Sequence, residues 1–156
     1  MEEFRVPVAR IPAEVVMTDG RALAGNLFVP MVASTHDGPM RPDELMNEHP
    51  AFFPFLEVDA EMSILLNKAQ VLLVTIRAWR EPTPAGVPPA FPERFARVEL
   101  RDRVVEGTVV IDMPEHQGRM LDYLNFSGQF ITVRAGELWH LIQRNHILRV
   151  VDVQKE

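Results

Sequence analysis

Residues 13–30 read AEVVMTDGRALAGNLFVP, and residues 96–112 read ARVELRDRVVEGTVVID. With Gly25 laid on Gly107, the two stretches coincide: Leu23, Leu27 and Val29 fall on Val105, Val109 and Ile111. The matches recur at every second residue, the period of a strand with one buried face. The preceding strand repeats as well, Val15 and Met17 falling on Val98 and Leu100. In the first stretch Thr18-Asp19-Gly20-Arg21 separates the strands. Asp-Gly between alternating apolar residues predicts a tight hairpin, because such a turn needs positive φ. The second stretch has Asp102-Arg103 and no glycine, so its turn is predicted to differ by a residue.

The repeat continues outward. Arg41-Pro42-Asp43-Glu44-Leu45-Met46-Asn47 aligns without a gap on Arg119-Met120-Leu121-Asp122-Tyr123-Leu124-Asn125. Proline at the first helical position and acids in the first turn predict a short helix, and Pro50 blocks its continuation. Asn47 and Asn125 each suit a left-handed C-cap. Further strands are predicted at 53–58, 62–66 and 71–76, and at 130–134, 138–142 and 147–153. Between the last two strands stand Asn67-Lys68-Ala69-Gln70 in one half and Gln143-Arg144-Asn145-His146 in the other.

Each unit therefore reads β-β-α-β-β-β, and a duplicated unit implies two copies of one fold. The expected fold class is mainly β: two small β-barrel units, each with a short helix between its second and third strands. Residues 1–76 form the first repeat with an N-terminal extension, in which residues 4–8 are expected to be extended. Residues 95–156 form the second. Residues 77–94 form a linker, whose Pro82, Pro84, Pro88, Pro89 and Pro92 exclude a helix or a central strand. Leu27, Val29, Phe53, Val109, Ile111 and Phe130 are the expected core, and units this small are expected to pack together.

The opening hairpin and the ending Leu141-Ile142-Gln143-Arg144-Asn145-His146-Ile147-Leu148-Arg149-Val150 resemble the Sm-like family. In that family a short strand, a tight polar turn and a final strand form the second signature. The resemblance implies a small barrel, ring formation through strand edges, and RNA binding at the turn. Carried onto this chain, the ligand-binding candidates are Arg144, Asn145 and His146, with Lys68 as the counterpart in the first half. An arginine supplies phosphate contact and stacking, and an asparagine can bond a base edge. The chain departs from the pattern in three places. Its helix follows the second strand instead of preceding the first. Arg144 and Lys68 stand where the signature has glycine. The Asp-x-x-x-Asn element of the first signature has no counterpart.

Composition narrows the function classes. Asp and Glu number 22 against 16 Lys and Arg, for a formal net charge of -6. That argues against a broad nonspecific nucleic-acid interface, which is usually basic. There is no cysteine, hence no disulfide framework and no thiolate site. No run approaches the roughly 20 apolar residues of a membrane span. MEEFRVPVARIPAE begins with two acids and holds no apolar core of signal-peptide length, so the expected compartment is the cytoplasm.

Catalytic patterns are missing from the sequence. It holds no Gly-rich phosphate loop, no Gly-x-Ser-x-Gly and no His-Glu-x-x-His. His36-Asp37-Gly38 and Glu115-His116-Gln117-Gly118 occupy equivalent loops, but each offers two ligands where a metal site takes three or four. Arg41 and Arg119 open the two helices; an ion pair with Glu44 or Asp122 is expected there in preference to an anion clamp. Asn125-Phe126-Ser127-Gly128 compares with the PilZ family, but Phe130 stands where its final glycine belongs, and its paired arginines are missing. Trp139 is expected to pack, and Trp79 to fold the linker back.

The expectation is a non-enzymatic binding or scaffolding module with no metal, cofactor or catalytic residue. Its partners are expected to be a second copy, through the apolar final strands at 71–76 and 147–153, or another protein. RNA or nucleotide binding at the Arg144 turn is the alternative.

Overall fold

The structure, a computed structural model, describes residues 8–31, 40–78, 91–113 and 119–153. The described residues are mainly β, with antiparallel pairing and two short α-helices. The chain divides into two compact units, Met1–Ile76 and Arg77–Glu156. The first contains β1 (Val8–Met17), β2 (Ala22–Pro30), α1 (Pro42–Asn47), β3 (Phe52–Glu57), β4 (Ile64–Asn67) and β5 (Val71–Arg77). The second contains β6 (Glu93–Glu99), β7 (Val104–Val110), α2 (Met120–Phe126), β8 (Phe130–Ala135), β9 (Leu138–Gln143) and β10 (Arg149–Val153). A single 3-10 turn precedes each last strand, at Lys68–Gln70 and at Arg144–His146.

The hydrogen-bonded order is β5-β1-β2-β3-β4 in the first unit and β10-β6-β7-β8-β9 in the second. Neither order returns to its first strand. Each unit is thus an open five-stranded sheet where the sequence anticipates a closed barrel, because β4 and β9, the last in each order, pair within their units with β3 and β8 alone. The predicted linker is also trimmed. Arg77 belongs to β5, and Glu93 and Arg94 belong to β6, whose pairing with Val110 and Val109 extends the strand. Pro82, Pro84, Pro88, Pro89, Trp79 and residues 4–7 lie outside the described residues.

The two opening hairpins share one register. Ala13 faces Gly25 and Val15 faces Leu23; Ala96 faces Gly107 and Val98 faces Val105. Their turns differ by the predicted residue. Met17 N–H donates to Arg21 O at 2.8 Å across a turn in which Gly20 has φ +94°, whereas Leu100 N–H donates to Arg103 O at 2.8 Å.

The matched glycines are held by a close approach of backbone. A methyl group on Gly25 would overlap the Leu56 carbonyl, and one on Gly107 would overlap the Arg134 carbonyl. The missing side chain lets the third strand of each unit lie directly against the second. Leu27, Val29, Val109 and Ile111 are each fully buried, and Phe53 and Phe130 nearly so. Inward-facing positions at a two-residue period thus form the core of each sheet.

Two outcomes are expected from these contacts. Gly107→Ala should lower the free energy of unfolding by about 1–3 kcal/mol or more, since the added carbon meets backbone that cannot step aside. The neighbouring, half-buried Thr108 changed to Ala should move the urea midpoint far less. Val109→Ala should cost on the order of 1–3 kcal/mol through lost burial and a residual cavity. An unchanged midpoint in either Gly107→Ala or Val109→Ala would contradict the assigned inward face.

Candidate functional site

The residues singled out by sequence sit at the 3-10 turns before the last strands. Each turn is built by the residue ahead of it. Asn67 Oδ1 accepts from Ala69 N–H at 3.0 Å, and Gln143 Oε1 accepts from Asn145 N–H at 3.2 Å. The next backbone amide is anchored as well: Lys68 N–H donates to Ala51 O and Arg144 N–H to Gln129 O, both at 2.8 Å. Two copies of one backbone device therefore fix where the Lys68 and Arg144 side chains start.

Both side chains end at the C-terminus of the unit's own helix. Lys68 Nζ donates to Leu45 O at 2.8 Å and to Glu48 O at 3.1 Å. Arg144 Nη1 donates to Leu124 O and Asn125 O, each at 3.3 Å, and to Ser127 O at 2.8 Å. The last carbonyls of a helix have no partner within it, and their partial negative charge favours a cation. Lys68 is buried at 2% exposure, and that desolvation holds its pKa below the ordinary lysine value, against the opposing pull of Glu48.

This arrangement corrects the predicted C-caps. Asn47 and Asn125 lie within the helices, and the capping residues Glu48 (φ -69°) and Ser127 (φ -73°) are extended. Asp59 is the single non-glycine residue with positive φ among the described residues. The carbonyls that a left-handed cap would have satisfied are satisfied by a cation arriving from elsewhere in the unit. The amino-acid pattern that could have revealed this is the cation itself, repeated one place after an Asn or Gln in both halves.

At the helix N-termini the arginines form ion pairs. Arg41 Nε lies 3.2 Å from Asp43 Oδ1 and 3.6 Å from Glu44 Oε1, and Arg41 N–H donates to Glu44 Oε1 at 3.0 Å. Arg119 binds the buried Asp122 through Nε–Oδ2 at 3.0 Å and Nη2–Oδ1 at 3.3 Å. Asn145 is exposed and His146 half-buried. Trp139 is buried, with the Arg134 guanidinium carbon 4.4 Å from its ring centroid, as a packing role requires. The histidine loops at residues 36–38 and 115–118 lie outside the described residues. Among the described residues, no group of three or more His, Asp or Glu gathers into a metal site. Nor is any helix among them long and apolar enough to cross a membrane.

The surface that sequence reasoning missed lies along β4. In the first unit Leu65 is 69% exposed, and Phe52, Met62 and Ile64 beside it are exposed too. With Asn67 laid on Gln143, Leu65 matches Leu141, which is fully buried. The last strands show the reverse. Leu72 is buried, while its counterpart Leu148 is 69% exposed. β5, expected to offer an apolar edge, is buried from Val71 to Val74 and at Ile76.

The chain matches no family model, no curated protein and no solved structure.

Removing the helix clasp should destabilise the fold. Lys68→Ala is expected to cost about 3 kcal/mol, because charge-assisted bonds are each worth roughly 1.5–3 kcal/mol and both of the ammonium's bonds to helix carbonyls are lost. Arg144→Ala should cost less, about 1–3 kcal/mol, since its site is wetter. Denaturant unfolding by circular dichroism measures both, and wild-type midpoints would reject the clasp.

A pH effect follows from His140 on β9. Burial depresses its pKa below the ordinary 6.5, so the unfolded chain takes up that proton first. Its contribution is fully present above pH 6.5 and is lost as pH falls toward the depressed folded value. Urea titrations between pH 7.5 and 5 should show stability falling below 6.5, with a shallower fall in His140→Leu. Identical pH slopes in the two proteins would remove His140 from the account.

Proposed function

We propose that this protein is a non-enzymatic binding or scaffolding module that assembles with further copies of itself through strand edges. The observation that carries the reading is a pair of exposed leucines, one on and one beside a strand that has a single strand neighbour among the described residues. β4 pairs with β3 and carries exposed Leu65; β10 pairs with β6 and follows exposed Leu148. Unpaired edges of this kind recruit another strand unless they are short, charged or covered. Here β4 is short, yet Ile64 and Leu65 on it are exposed and apolar; β10 carries Arg149 and Asp152, but both are paired within their own sheet, and each exposed leucine matches a buried leucine in the other repeat. The strand, 3-10 turn and final strand in both units support kinship with the Sm-like proteins.

β10 is held to its own sheet by polar contacts. Arg149 pairs with Glu99, with Nη2–Oε1 at 3.2 Å, and Arg94 Nη2 lies 2.8 Å from Asp152 Oδ2. The hydrogen bond from the Arg149 guanidinium lowers the Glu99 pKa below the ordinary carboxylate value. Exposed pairs of this type add little stability but fix register. A partner strand laid along β10 would then meet a strand already in place.

RNA binding draws no such support. The guanidinium of Arg144 is committed to three carbonyls, and Lys68 is buried. These two contacts give the turn a structural task.

Light scattering coupled to size-exclusion chromatography tests the assembly. A mass that is a multiple of the chain mass is expected at micromolar concentration. Leu65→Glu and Leu148→Glu should each lower it toward one chain, because a buried unpaired carboxylate is costly, while leaving the circular dichroism spectrum unchanged. A wild-type monomer would reject stable assembly. Salt-sensitive oligonucleotide binding, lost in both Asn145→Ala and His146→Ala, would put the RNA reading in its place.

A further inference from the structure

We draw no further inference here: the strongest candidate, the outward apolar face of the β3–β4 hairpin around Phe52, Pro54 and Leu65, continues the strand edge already assigned to self-association, and nothing in the structure shows what else covers it.

Discussion

A six- or seven-residue helix cannot hold itself together in water, since nucleation costs more than one or two turns return. Both helices here are of that length. Their persistence depends on a cation that reaches the C-terminal carbonyls from the far end of the same unit. Lys68 is 20 residues beyond Glu48, and Arg144 is 17 beyond Ser127. Each clasp closes a loop over the third and fourth strands, so the helix, the β3–β4 or β8–β9 hairpin and the final turn are fixed together. The opposite helix ends are tied locally, by Glu44 and Asp122 to the backbone amides of Arg41 and Arg119.

The two clasps are unequal in kind. Lysine puts one compact charge into a dry site, and its depressed pKa records the desolvation. Arginine spreads one nitrogen over three carbonyls at a wetter site. An ammonium is a strongly hydrated point charge, whereas a guanidinium is more weakly hydrated and forked. The same geometric task is met by different chemistry in the two repeats. A ligand-binding role for these residues would require the carbonyls to give up their donors.

Much of the architecture was legible in the chain. The period of two in residues 13–30 and 96–112 identified the opening strands and four core residues, Leu27, Val29, Val109 and Ile111, because burial on one face of a sheet leaves that trace in any strand. The gapless match of residues 41–47 to 119–125 placed both helices. The difference between Asp19-Gly20 and Asp102-Arg103 foretold turns of different length. The errors came where a local rule competed with a distant group. Asn47 and Asn125 have the residue type of a C-cap, yet they lie inside the helices, because Lys68 and Arg144 arrive from outside the local sequence. The same two cations read as ligand candidates because position in a polar turn says nothing about where a long side chain ends.

By itself the sequence determined the strand faces and the duplicated unit, consequences of periodic rules acting within a few residues; the need for glycine at 25 and 107 came from the third strand's backbone, brought against them from about 30 residues away. Only the tertiary structure decided which copy of each strand is exposed. Leu65 and Leu141 are the same residue at matched positions, and so are Leu72 and Leu148, yet one of each pair is buried and the other is not. Hydropathy is identical within each pair. Burial depends on which residues, distant in sequence, are brought against each strand, and periodicity along the chain carries no record of that.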